Sequence, residues 1–324
     1  VWCDWSSDVC SSDLTPKSGK FNASINTVEI GTGDKAVKIG GENVFPLYSF
    51  DAAIENAPKV GIEITDFGME HEPECIKKYY EGCATLADIA RKAASMEGVD
   101  FLSFRMEGGD PNGENKSTEE LIGELKEIAD AVDLPLVVCG CKNVEKDAEL
   151  FSKAAEALNG RNAVILSAKE ENYKTVGAAA GLAYKQVVGA ESAVDINLAK
   201  QLNVLISQLG VDSKNVVMNV GTAAVGYGFE YVISTMDRVK AAALQQGDAN
   251  LQMPIITPVA SEAWGVKEAM ASETEAPEWG SQEERGIDME VETAMAVIAS
   301  GSNAVILKHP ESIKTIAGLM KELV

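Results

Sequence analysis

Val60-Gly61-Ile62-Glu63-Ile64-Thr65 is a short, β-branched run with apolar residues at nearly every position, and a long stretch with helical spacing follows it. The same pairing recurs at Val99–Phe104, Leu136–Cys139, Ala163–Leu166, Gln186–Ala190, Asn215–Val220, Pro254–Val259 and Ala304–Leu307. Runs that are apolar on both faces and separated by helices are the mark of parallel strands covered on both sides. Eight such units between residues 58 and 324 match a closed (β/α)₈ TIM barrel, which typically takes about 250 residues. An open doubly wound sheet is the alternative. The barrel reading directs attention to the loops after the strand C-termini, where barrels of this kind carry their sites.

The helical stretches obey the same plan. Ser117-Thr118-Glu119-Glu120 reads as a capping box opening a helix with Leu121, Leu125, Ile128 and Val132 on one stripe. Leu198, Leu202, Leu205 and Leu209 predict a similar stripe in the fifth helix, terminated by Gly210. Pro310 suits the first turn of the last helix, with Ile313, Ile316 and Met320 facing inward. Ahead of the barrel, Thr27–Ile30 and Ala36–Ile39 alternate like strands and are joined by Gly31-Thr32-Gly33-Asp34, a hairpin signal. The expected organisation is a hairpin extension over 15–57, plugging the N-terminal face, and a barrel over 58–324. Val1–Leu14 holds two of the four Trp and two of the six Cys without periodicity; it reads as a non-native scar or a disordered tail.

Charge narrows the partners. The chain of 324 residues carries 50 Asp plus Glu against 28 Lys plus Arg, a formal net charge of −22. Such a surface repels phosphate backbones and anionic membranes. No apolar run approaches the roughly 20 residues of a membrane span. Neither a signal peptide nor a regular cysteine framework is evident, so a reducing cytoplasm is the expected compartment.

Residues just past the strands form the candidate list: Glu107–Gly113, Glu170–Lys174, Glu191 with Asp195-Ile196-Asn197, Met218–Gly228, Glu262-Ala263-Trp264 with an insertion to about Arg285, and Lys308-His309. The Met218–Gly228 loop is the least ordinary. Its small residues let backbone approach a ligand, Gly supplies positive φ, and Asn219, Thr222 and Tyr227 offer hydrogen bonds. A flat macrocycle fringed with amides suits such a surface; an ordinary tight βα turn is the plainer alternative. Cys75, Cys83, Cys139 and Cys141 could reach one mouth, but no CxxC occurs, and Cys139 also reads as a buried apolar residue. With only His71 and His309, a His-rich metal site is impossible, and a lone His at a helix start more often caps than ligates. Asp66, Glu107, Asp110, Glu191 and Glu262 are possible acid/base groups, none of which singles out a reaction.

Six stretches, in order, carry a resemblance: Phe45–Phe50 (FPLYSF), Glu171–Lys174 (ENYK), Asp195–Asn203 (DINLAKQLN), Gly226–Tyr231 (GYGFEY), Glu262-Ala263-Trp264 with Lys267-Glu268-Ala269, and His309-Pro310-Glu311. Together they resemble the small subunit of the corrinoid iron–sulfur protein, whose archaeal counterpart is the delta subunit of the acetyl-CoA decarbonylase/synthase complex. The resemblance runs from about Phe21 to the C-terminus. It implies a barrel that pairs with a large subunit and helps enclose a cobamide in the Wood–Ljungdahl pathway. The methyl group comes from a methyl-pterin through a methyltransferase and goes to acetyl-CoA synthase/CO dehydrogenase. It further implies that the iron–sulfur cluster lies in the large subunit and that this chain has no independent catalysis. From barrel position, the expected cobamide wall is Asn172, Lys174, Asn219, Gly221, Thr222, Tyr227 and Trp264, with Asp110 at the rim. Two rival classes are a pterin-binding methyltransferase using Asp110 and Asn219, and a Schiff-base enzyme using Lys308.

Overall fold

A computed structural model describes residues 19–324, so the scar assigned to Val1–Leu14 lies outside the described residues. Eight parallel strands close into a barrel: β3 (Lys59–Thr65), β4 (Phe101–Arg105), β5 (Leu136–Cys139), β6 (Val164–Ala168), β7 (Val187–Glu191), β8 (Val216–Asn219), β9 (Ile255–Pro258) and β10 (Ser302–Leu307), with β10 pairing back onto β3. Each lies within two residues of its apolar run. Helices cover the outer face and side chains fill the interior, which is why the runs are apolar outward and, over most of their length, inward as well.

The outer layer contains α1 (Glu74–Lys77), α2 (Leu86–Ala94), α3 (Thr118–Ala131), α4 (Val144–Ala157), α5 (Tyr173–Val176) running into a π-helical stretch Gly177–Ala183, α6 (Ile196–Gln208), α7 (Phe229–Leu244), α8 (Ala260–Ala263), α9 (Lys267–Met270), α10 (Gln282–Ser300) and α11 (Pro310–Leu323). Ser117 caps α3, its hydroxyl accepting from the Glu120 N–H at 3.1 Å, and Leu121, Leu125 and Ile128 are buried. Pro310 stands at the first turn of α11 above buried Ile313, Ile316 and Met320. The stripe of α6 departs from expectation. Ala199, Leu202, Asn203 and Ile206 are buried, while Leu198, Leu205 and Leu209 are only half-buried. Asn203 belongs inside because its amide donates to the Asn250 carbonyl at 2.8 Å. A polar residue with a fixed partner displaces the leucine-only stripe.

The hairpin β1 (Val28–Ile30) and β2 (Val37–Ile39) is antiparallel and sits under the N-terminal end of the barrel. Val28, Ile30 and Ile39 cluster with the inward residues Phe101, Val137, Val164, Val187, Val217, Ile256 and Ala304. Backbone bonds fix it there: Gly31 N–H to the Asn162 carbonyl (2.8 Å) and Asn26 N–H to the Gln252 carbonyl (2.6 Å). Phe101 fills the floor because Gly61 has no side chain; a Cβ there would lie 2.1 Å from the Phe101 ring. Beside the hairpin, buried Lys240 donates to Glu42 Oε1 and Asn303 Oδ1, both at 2.9 Å. Burial alone would raise the Glu42 carboxyl, but Lys240 and Asn303 outweigh it and hold it below the usual range.

Candidate functional site

Inward residues change character along the barrel. Above Phe101 lie Ser103 and Cys139, their Oγ and Sγ 3.5 Å apart, and then Glu63 and Arg105 at the C-terminal end. Two adjoining cavities of about 310 and 350 Å³ open above them and share Arg105, Gly140, Lys142 and Ser261. The first continues past Ser167, Lys169, Glu191, Asn219, Gly221 and Thr222. The second continues past Phe67, His71, Glu72, Asp110, Trp264 and Lys308.

Paired charges line this mouth. Arg105 grips Glu63 Oε2 through Nε (3.0 Å) and Nη2 (2.8 Å), both side chains buried. Burial works to raise the Glu63 carboxyl, but Arg105 and Lys308 prevail and hold it low. Lys308 donates to Glu72 Oε1 at 2.8 Å. Burial opposes its charge, yet Glu72 and Glu63 keep its pKa above the ordinary lysine value. The Lys308 amine is thus engaged by the Glu72 carboxylate rather than standing free in the mouth. Nearer solvent, Lys142 pairs with Glu262 at 3.1 Å and Lys169 with Glu191 at 3.3 Å.

The expected wall residues divide. Asn219 lies at the end of β8, donating to Ser167 Oγ (3.1 Å) and accepting from the Gly221 N–H (3.1 Å), so its amide shapes the loop. That turn needs glycine: Gly221 has φ +96°. Thr222 lines the first cavity, and its buried hydroxyl oxygen has no hydrogen-bond partner there. Trp264 and Asp110 line the second cavity; Asp110 Oδ1 accepts from the Asn112 backbone at 2.9 Å. Tyr227 is half-exposed, lines neither cavity and donates to Glu268 Oε2 at 2.6 Å. Asn172 and Lys174 line neither cavity. The Asn172 amide spans two turns, accepting from the Lys169 N–H (2.8 Å) and donating to the Val144 carbonyl (3.2 Å). Lys174 is exposed, with Nζ 5.9 Å from the Tyr173 ring centre.

Sequence reasoning missed Glu63, Arg105, Lys142 and Lys169. Alternation along β3 and β4 carries the signal for the first two: Gly61 and Phe101 point inward, so Glu63 and Arg105 do as well. The cysteines do not gather. Cys141 donates its S–H to Asp147 Oδ1 at 3.2 Å, and burial pushes its thiol up to about 12. Among the described residues, no three His, Cys, Asp or Glu side chains are grouped to hold a metal ion, and no helix is long and apolar enough to cross a membrane.

The molecule is thus a (β/α)₈ barrel whose open mouth carries paired charges and an amide- and hydroxyl-bearing loop. Solved dihydropteroate synthases share the fold: that of Vibrio fischeri at a TM-score of 0.54 and 9% identity (91% of this chain, 97% of that one), and that of Thermus thermophilus at 0.52 and 14% (91% and 100%). The chain belongs to the CO dehydrogenase/acetyl-CoA synthase delta subunit family, whose model matches residues 27–318. It is similar to the acetyl-CoA decarbonylase/synthase complex subunit delta of Methanocaldococcus jannaschii (31% identical; 98% of this chain, 78% of that one). The subunit delta of Methanopyrus kandleri is 33% identical (90% and 71%).

Proposed function

We propose that this chain is the small subunit of a two-subunit corrinoid methyl carrier in the reductive acetyl-CoA pathway, its barrel mouth forming one wall around a cobamide. The observation that carries the reading, beside family membership, is the Asn219–Gly228 loop at an open mouth. Thr222 lines that mouth, although its hydroxyl oxygen is itself buried and without a partner. A corrinoid is edged with amides, so backbone brought close by Gly221 and the side chains of Ser167 and Ser261, which line the same cavity, fit its periphery. Asp110, Asn219, Gly221, Thr222, Tyr227 and Trp264 would hold this wall; Asn172 and Lys174 would stand behind it. A bound cobamide would supply the methyl-carrying chemistry. The chain's residues would orient the macrocycle and exclude water from its face. The matching partners are a large subunit that brings the iron–sulfur cluster and the corrinoid domain, a methyl-pterin methyltransferase, and acetyl-CoA synthase/CO dehydrogenase.

The test is anaerobic co-expression with a cognate large subunit, followed by cobalt analysis and a visible spectrum. One corrinoid per heterodimer and none on this chain alone is the expected result. The double substitution Thr222→Arg/Tyr227→Arg should lower that content while leaving the heterodimer assembled. Normal corrinoid content in the double variant would displace the wall. Binding of methyltetrahydrofolate by the isolated chain would favour a pterin enzyme instead.

A further inference from the structure

Trp264 and His309 were expected to act separately, one as wall and one as cap. In the fold they meet. The Trp264 indole, 6% exposed, lies nearly parallel to the His309 imidazole, with centroids 5.8 Å apart and an interplanar angle of 14°. Its far edge abuts Gly286, where a Cβ would come within 2.2 Å of the ring. The indole is therefore held on one face by the imidazole and at its far edge by α10.

The imidazole is itself fixed from several elements. Nδ1 accepts the Glu311 N–H of α11 at 3.2 Å, so the ring proton of the neutral form resides on Nε2. Nε2 faces Glu283 Oε1 of α10 at 3.5 Å, and Lys78, from the loop after β3, holds the Glu283 carboxylate at 2.6 Å. Tyr79 packs edge-on against the ring at 5.3 Å. The His309 backbone N–H donates to Glu290 Oε2 at 3.1 Å, and the same carboxylate receives the Lys308 N–H. Burial, reinforced by Lys78, outweighs Glu283 and Glu311 and keeps the ring below the ordinary histidine pKa, hence neutral at pH 7.

Capping alone does not account for a histidine here, because Ser, Asn and Asp are the favoured N-caps. What the imidazole adds is a flat face for the indole; its Nε2 lies 3.5 Å from Glu283 without a hydrogen bond. We propose that His309 is the positioning residue for Trp264, locking the loops after β3, β9 and β10 into one rigid section of the mouth wall. What that wall encloses rests on the corrinoid reading; the indole's dependence on His309 does not.

The decisive variant is His309→Asn, which keeps an N-cap side chain and loses the ring. The probe is the set of indole N–H signals of the full ¹⁵N-labelled chain, with Trp264→Phe identifying the Trp264 signal. In folded His309→Asn the Trp264 signal should shift and its N–H exchange faster, while the other indole signals and the melting temperature stay close to wild type. An unchanged Trp264 signal would overturn the proposal. Should His309→Asn fail to fold, His309→Gln likewise keeps a polar side chain and removes the ring. Faster exchange of the same N–H there supports the proposal, and unchanged exchange overturns it. A wild-type heterodimer without corrinoid would sink the carrier reading and leave this result standing.

Discussion

The two ends of this barrel are built from similar groups and put them to opposite use. At the N-terminal end, an apolar hairpin closes the interior, and one ion pair, Lys240–Glu42, is sealed beside it with side chains 1% and 6% exposed. At the C-terminal end, the pairs climb from buried Arg105–Glu63 to Lys142–Glu262, where the lysine is 64% exposed, and the space between them is open. Charge at the closed end ties the extension to the barrel. Charge at the open end leaves polar surface facing whatever enters. Stability and site are thereby segregated along one axis, as the strand-to-helix geometry of such barrels permits.

Matched cuts at the two ends should break or sharpen this contrast. Lys240→Met leaves the Glu42 carboxylate buried without its cation and should cost about 3–5 kcal/mol. Lys142→Met should change stability by no more than about 1 kcal/mol, because the pair it removes is largely solvated. Urea unfolding of both variants decides the matter, and equal losses would abolish the distinction. Next comes packing. Ile30→Ala should cost about 2–5 kcal/mol by opening a cavity between hairpin and barrel. Thr222→Val at the mouth should be neutral or slightly stabilising, since its hydroxyl forfeits no bond in the free chain.

The last contrast is a pH slope. Glu124, on α3 near the mouth loops, has its carboxyl pushed up to about 7 by burial, against the pull of Lys116. Between about 4.5, its value when unfolded, and about 7, the folded chain keeps a proton that the unfolded chain releases. Its contribution therefore diminishes stability as pH rises through that window. Glu42 acts in the opposite sense: its depressed carboxyl adds stability above about 4.5 that is lost as pH falls through the folded value. Glu124→Gln should flatten the neutral slope and leave the acid limb intact. Melting curves from pH 4 to 8 check both; an unchanged neutral slope would mean that Glu124 titrates normally.

The sequence by itself determined the barrel. Eight runs apolar on both faces call for a parallel sheet under helices, their number matches a closed barrel better than an open sheet, and local signals such as the Ser117 cap and Pro310 agreed with it. It also marked the strand-end loops as the place of the site, and it placed Asn219, Gly221 and Thr222 in a loop that does line the mouth. Tertiary structure alone decided which charges meet. Glu63 and Arg105 are 42 residues apart, and Lys308 and Glu72 are 236 apart. Local spacing carries no record of such pairs, because a side chain's partner is set by barrel closure and strand register. For the same reason Asn172, suited by type to a ligand, turned to two backbone groups instead. His309 gained a role beyond capping only when β10 came to lie beside β9 and brought its ring against Trp264.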